Sequence, residues 1–374
     1  MRLILIFLIT LSVCFADYEV IESVYLDSID GHKIYFNSQV FFFDDHFFFR
    51  NFEYNIYSSH RTADLFIMND FKIKVFEGRK IIKEIVEKEP DAILERIIDI
   101  VKDSKNNIWM LTSDCLLIKY DWNEFKVFED VKKFSKNLEL DGKALAIDDA
   151  DNIYIHVNRI ALIKYDGNQF IELQHDIINY NLLLHPEEIN DLLKIGNKIF
   201  YINFYRNISY FDITKQNYDT LDIKSLLGIS RLHLQNYLKW KNRLIISYAI
   251  PDSLDDGLHL ASYDGEKFTN LDYILKLIPH DFKKSVGRIH IDDVGRYYFT
   301  VIDPDSVNYS RIYQVDTNMQ VRTINFYNNN KSQTSKNMAA TNGAYILKDG
   351  TIIIPELFGG FIVFKEPSSV ETPL

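Results

Sequence analysis

The chain has 374 residues, 47% of them hydrophobic and 14% aromatic, with only 14 Gly and 8 Pro. That is enough apolar material for a sizeable core and too little Gly and Pro for a disordered or collagen-like chain. The formal charge is −11 and the lysines and arginines form no block, so the basic stripe that neutralises phosphates is missing and nucleic acid is excluded as a partner.

Residues 1–16 read as a secretory signal peptide. Met1-Arg2 is a short positive region, Leu3 to Val13 is apolar, and Ala16 supplies a small residue before polar Asp17. A second reading takes Leu11-Ser12-Val13-Cys14 as a lipidation box with an anchor at Cys14. Beyond this leader no stretch of about 18 apolar residues occurs, so no membrane span is expected in the mature chain. The localisation expected is secreted or periplasmic. With Cys14 in the leader, Cys115 stands alone. No intrachain disulfide is then expected. In the apolar run Cys115-Leu116-Leu117-Ile118 the thiol reads as a small buried hydrophobe.

From there the chain repeats. An apolar pair on a strand is followed by a short strand, a Tyr-Asp-Gly turn or a relative, and Phe. The phrase is clearest at Ile108-Trp109 with Tyr120-Asp121-Trp122-Asn123-Glu124-Phe125, and at Ile153-Tyr154 with Tyr165-Asp166-Gly167-Asn168-Gln169-Phe170. It persists at Ile199-Phe200 with Phe211-Asp212, and at Leu244-Ile245 with Tyr263-Asp264-Gly265 and Phe268. Weaker copies surround Ile34-Tyr35, Leu65-Phe66, Tyr297-Tyr298 and Ile352-Ile353. A period of about 45 residues with strands in each copy points to an all-β fold, a single β-propeller of four-stranded blades. The pairs number eight. A short second interval and an incomplete last unit leave seven as the alternative.

The third unit illustrates the predicted blade. Arg96–Val101 is the first strand, Ile108–Thr112 the second, Cys115–Tyr120 the third and Phe125–Phe128 the fourth. The first unit reads the same way, with Val20–Leu26, Lys33–Phe36, Val40–Phe43 and Phe47–Phe49. Lys80–Ile98 and Leu271–Lys284 carry apolar residues at helical spacing, each broken by Pro, and read as insertions with a helical turn. The last unit offers three strands, and a strand borrowed from the other terminus would complete it. The propeller domain is expected over 17–366, with 367–374 a flexible tail.

Chemistry was sought along the same path. The series Asp121, Asp166, Asp212, Asp264 and Asp316 marks the hairpin between third and fourth strands, because Asp bonds its own backbone at a turn. Asp148-Asp149-Ala150-Asp151-Asn152 offers oxygen donors suited to a hard cation such as Ca²⁺, making Asp149 and Asp151 the weak metal candidates, though the equivalent turns do not repeat the donors. Ten scattered histidines show no ligand spacing. His156 reads as a core or pore-lining residue, and His290 with Asp292 as a possible pair or simply a charged turn. No nucleophile elbow, zinc helix or phosphate loop is present. No catalytic residue and no cofactor is assigned. The Trp109, Tyr154, Phe200 series reads as packing between blades.

The third and fourth units resemble the two-component-regulator propeller repeat, through Asn107-Ile108-Trp109-Met110-Leu111-Thr112, Leu116-Leu117, Tyr120-Asp121 and Phe125, and through Asn152-Ile153-Tyr154, Tyr165-Asp166-Gly167 and Phe170. That resemblance implies a propeller facing outward as a ligand sensor. The glycines that family carries after its second strand are absent here, as are a downstream membrane helix and a kinase. The expectation is a stand-alone, monomeric binding or sensory module for an unidentified protein, peptide or glycan. The alternative is a propeller enzyme, a glycan lyase or hydrolase, with its site at one mouth of the central channel.

Overall fold

The computed structural model describes residues 97–112, 115–128, 131, 134, 144–157, 162–173, 191–202, 208–229, 232–250, 258–278, 289–299 and 312–323 in full, and the strands elsewhere as backbone only. Every sheet of four or more strands is built from consecutive antiparallel hairpins, apart from the N-terminal segments noted below. The chain divides into two compact units.

The larger unit, 27–275 with 358–360, holds five four-stranded sheets, spanning 40–76, 97–128, 142–173, 191–221 and 233–270. The 97–128 sheet is representative. Its strands are Ile97–Lys102, Ile108–Thr112, Leu117–Tyr120 and Phe125–Phe128. The second strands Ile108–Thr112 and Ile153–Val157 are buried at every position. They have neighbours on both edges and packed layers on both faces, so their sequences are continuous apolar runs instead of alternating ones. Fourth strands such as Asn217–Leu221 alternate between exposed and covered positions, as an outer edge strand should.

Adjacent sheets in this unit are joined by apolar layers. Trp109 packs with Leu145, Ile153, Ile155 and Tyr165 of the next sheet. Tyr154 does the same with Leu192, Ile199 and Tyr201. Phe200 follows with Leu234, Leu244 and Tyr263. These three aromatics occupy one register, as the sequence predicts for residues packing blade on blade. Trp109 and Phe200 meet a tyrosine ring at 5.7 and 5.8 Å, distances at which tilted rings attract.

The smaller unit, 1–26 with 276–357 and 361–374, contains a sheet over 286–325 and another of three C-terminal strands, Tyr345–Ile346, Ile352–Pro355 and Phe361–Phe364. Ser23–Leu26 completes the latter, pairing antiparallel with Phe361–Phe364. Tyr18–Glu19 adds in parallel to the outer strand Val321–Asn325 of the former.

Three expectations need correction. Val20–Leu26 was assigned to the first unit, yet Ser23–Leu26 belongs to the C-terminal sheet, because a free edge there satisfies its backbone groups. Val40–Phe43 and His46–Glu53 share one sheet with Thr62–Asn69 and Lys72–Phe76, so the first two sequence units supply one four-stranded sheet between them. The pair Leu65-Phe66 thus lies on a third strand, while Ile108-Trp109 lies on a second. Lastly, the third strand begins at Leu117; Cys115 sits in the preceding turn with φ 62° and donates its amide to Thr112 O. Among the described residues this leaves six four-stranded sheets, one of five strands and one of two, Ser28–Ile29 with His32–Lys33, so that Lys33 joins none of the larger sheets.

Helical turns occur at Asp272–Leu275, inside the second expected insertion, and at Ile223–Leu227, which the sequence reading did not anticipate. The latter is capped by Asp222 and stopped by Gly228 at φ 69°. The leader 1–16, residues 80–96 and the tail 367–374 lie outside the described residues. No described helix is long and apolar enough to cross a membrane.

Candidate functional site

The turns joining first to second strands and third to fourth strands emerge at the same end of each sheet, and most repeated polar residues gather there. In the first-to-second turn a single Asp ties the loop to the strand that follows. Asp103 Oδ1 accepts from the amides of Lys105 and Asn107, and Oδ2 accepts from Asn107 Nδ2 and from Trp109 Nε1 at 3.0 Å. Asp148 repeats this with the amides of Ala150 and Asn152, Asn152 Nδ2 and the Tyr154 hydroxyl. Asp292 repeats it with three amides, Arg296 Nε and the Tyr298 hydroxyl. The sequence signal was an Asp six residues before the second-strand aromatic, and the sequence reading passed over it.

At the other hairpin, Asp121, Asp166 and Asp264 each accept from the amides two and three residues on. These backbone bonds hold all three carboxyls below the usual carboxylate range. The preceding tyrosines Tyr120, Tyr165 and Tyr263 donate to the carbonyls of Trp122, Gly167 and Gly265. Asp212 accepts from the amides of Thr214 and Lys215, and Asp316 from those of Asn318 and Gln320. The five-residue series is spent on turns.

Neighbouring first-to-second turns hold one another. Ser104 donates through its amide and hydroxyl to Asp151, at 2.8 and 2.6 Å. Lys194 pairs with Asp149. The Gly196 amide donates to Asn242 Oδ1 at 2.7 Å. The metal candidates Asp149 and Asp151 are therefore engaged with different elements, one with a lysine and the other with a serine. Among the described residues no three His, Cys, Asp or Glu side chains come together to hold a metal ion.

Of the other singled-out residues, Cys115 is fully buried. His156 is buried edge-on to Tyr201, with ring centroids 5.5 Å apart. His290 is pushed down to about 4, chiefly by burial, so it stays neutral at physiological pH, while Asp292 serves its own turn. A His–Asp pair that spacing could not reveal joins His259 Nδ1 to Asp272 Oδ2 at 2.9 Å. The His259 ring stacks on Tyr248 and its Nε2 is buried, while the two side chains are 17% and 22% exposed. Asp99, on a first strand, accepts from Ile100 N and from Leu145 N of the next sheet. Burial and then the Asp191 charge hold its carboxyl well above the usual range.

No protein-family model and no curated protein matches the chain. Solved structures do. PorZ, a bacterial surface component of the type IX secretion system of Porphyromonas gingivalis, superposes with a TM-score of 0.56 at 9% identity, over 89% of this chain and 47% of PorZ. The extracellular domain of BT3049 from B. thetaiotaomicron, assigned to a hybrid two component system, gives 0.37 at 15% identity, over 72% of this chain and 40% of that one. YCF48 bound to D1 peptide gives 0.34 at 10%, over 73% and 94%. The chain spans less than half the length of the first two. At such identities the likeness is one of fold. What the chain shares with these structures is the blade-like, four-stranded antiparallel sheet of β-propellers.

Proposed function

We propose that this protein is an envelope-exposed or secreted β-propeller that binds a protein or peptide partner through its turn-bearing face. One observation carries the reading. The repeated Asp, Tyr and Trp side chains of that face are consumed in holding its turns, while turn positions between them, Glu124, Gln169 and Lys267 among them, differ from copy to copy and are exposed. A fixed frame presenting variable tips suits recognition better than chemistry, which would need unspent acids and bases converging on one point. The four- and five-stranded sheets are read as propeller blades, with Ser23–Leu26 completing the C-terminal one. Export through the 1–16 leader, with or without a lipid on Cys14, and the PorZ likeness support a surface location.

Photo-cross-linkers placed at Asn168 and Glu266, and as a control on the fully covered strand residue Ile155, test the reading in cells that make the protein. One recurrent partner captured from turn positions and not from the control is the expected result. No capture at any turn, together with turnover of a glycan by the purified chain, would overturn it.

A further inference from the structure

The sheet over 286–325 differs from the others at its outer edge. Among the described residues it alone carries a fifth strand: Tyr18–Glu19 lies parallel to Val321–Asn325, with Tyr18 beside Ile324 and Glu19 beside Asn325. This short strand covers one end of a five-residue edge. Beside Val321, Arg322 and Thr323 no described strand is paired on that side. In the hairpin with Ser310–Val315, hydrogen-bonded and non-bonded pairs alternate along the ladder. Asp316 N donates to Gln320 O, so Gln314 and Arg322 form the next bonded pair, and Val321 and Thr323 turn their amides and carbonyls outward. The surface at this end is apolar. Val321 is 37% exposed and Met319, in the turn before it, 41%; Val294, at 64%, tips the other turn at the same end of the sheet. Outward backbone groups on an edge strand are a template for another chain, and an exposed Val beside them adds apolar contact.

The strand already seated there shows what fits. Tyr18–Glu19 pairs at two positions only, fewer than an ordinary strand, and in the parallel arrangement, which is slightly weaker per residue. A longer strand along the whole edge would satisfy more backbone groups and displace it. We propose that this edge receives an extended peptide of the partner, which adds as an outer strand along Val321–Asn325 with an apolar side chain beside Val321, and that Tyr18–Glu19 is the internal strand it replaces. The inference rests on the binding function above and names the mode of recognition: main-chain hydrogen bonds supply affinity and alternate side chains supply selectivity.

The test uses the purified chain from residue 17 and two acetylated, amidated hexapeptides, one of alternating Thr and Val, the other of alternating Thr and Asp. Binding is read by calorimetry and by the hydrogen-exchange rates of the Val321 and Thr323 amides. Tyr18→Pro with Glu19→Pro removes both amide donors of the internal strand and is expected to tighten binding of the Val peptide about tenfold. Glu19→Cys with Asn325→Cys places thiols at a cross-strand pair whose spacing suits a disulfide; the oxidised form should lose the peptide and reduction should restore it. Val321→Lys, at an exposed position, should weaken binding while leaving the thermal midpoint unchanged. Slowed exchange at Val321 and Thr323 with the Val peptide, and none with the Asp peptide, supports the proposal. No binding to the proline variant, equal binding to the oxidised disulfide form, or protection confined to other strands overturns it. The two readings fail separately: partner capture that persists in the oxidised form removes this edge and leaves the binding function, whereas peptide binding at the edge without any captured partner removes the function and leaves the edge.

Discussion

Replacing Asp103 with Ala tests whether the repeated turn carboxylate holds the blade together. The carboxylate is 7% exposed and takes four hydrogen bonds. Its loss strands the Trp109 indole N–H, on a side chain only 6% exposed, with no acceptor in reach. An orphaned buried donor costs about 1–3 kcal/mol, and each turn amide that trades a charged acceptor for water adds about 0.5–1.5 kcal/mol. The structure thus predicts a loss of about 3–4 kcal/mol, read from the urea midpoint at constant slope. Asp103→Asn retains an acceptor for the two amides and should lose about half as much. Trp109→Phe keeps the ring in its layer and removes the donor, so combining it with Asp103→Ala should give less than the sum of the two, with a coupling of about 1–2 kcal/mol. Strict additivity, or a loss under about 1 kcal/mol for Asp103→Ala, would refute the claim that the carboxylate supports the aromatic layer.

Phe200→Ala should cost about 3–5 kcal/mol in the same assay, since the ring is fully buried between two sheets. Gly265 has φ +106°, and a Cβ there would meet nothing within 4 Å; Gly265→Ala should therefore lose about 1–2 kcal/mol through backbone strain alone, seen as a lowered thermal midpoint. Asp99 binds its proton more tightly folded than unfolded, so its contribution to stability is fully present below the ordinary carboxylate range and is lost as pH rises through its raised native value. Asp99→Asn should flatten that fall in a plot of unfolding free energy against pH. The Cys115 thiol, fully buried, should ignore a thiol reagent in the native protein and react at once in denaturant.

Much of the blade was legible from local chemistry. The second strand Ile108–Thr112 and fourth strand Phe125–Phe128 fall where the sequence places them, because continuous apolar runs and Asp-rich turns are set by neighbours within a few residues. The Asp121 series accepts turn amides within three or four residues of itself, an equally local interaction. The candidate site was less legible. Asp149 and Asp151 looked like a pair of donors in one loop, but in the fold one meets Lys194 and the other Ser104.

The division follows from the range of the forces involved. By itself the sequence determined the repeat, most strands of the clearer copies and the turn residues, all governed by backbone preference and burial within one hairpin. Only the tertiary structure decided that Ser23–Leu26 pairs with Phe361–Phe364, that the first two sequence units share a sheet, and that Lys194 meets Asp149 of the preceding sheet. Strand edges accept any backbone, and a side chain's neighbours across a sheet interface are fixed by packing. No residue's identity carries that information along the chain.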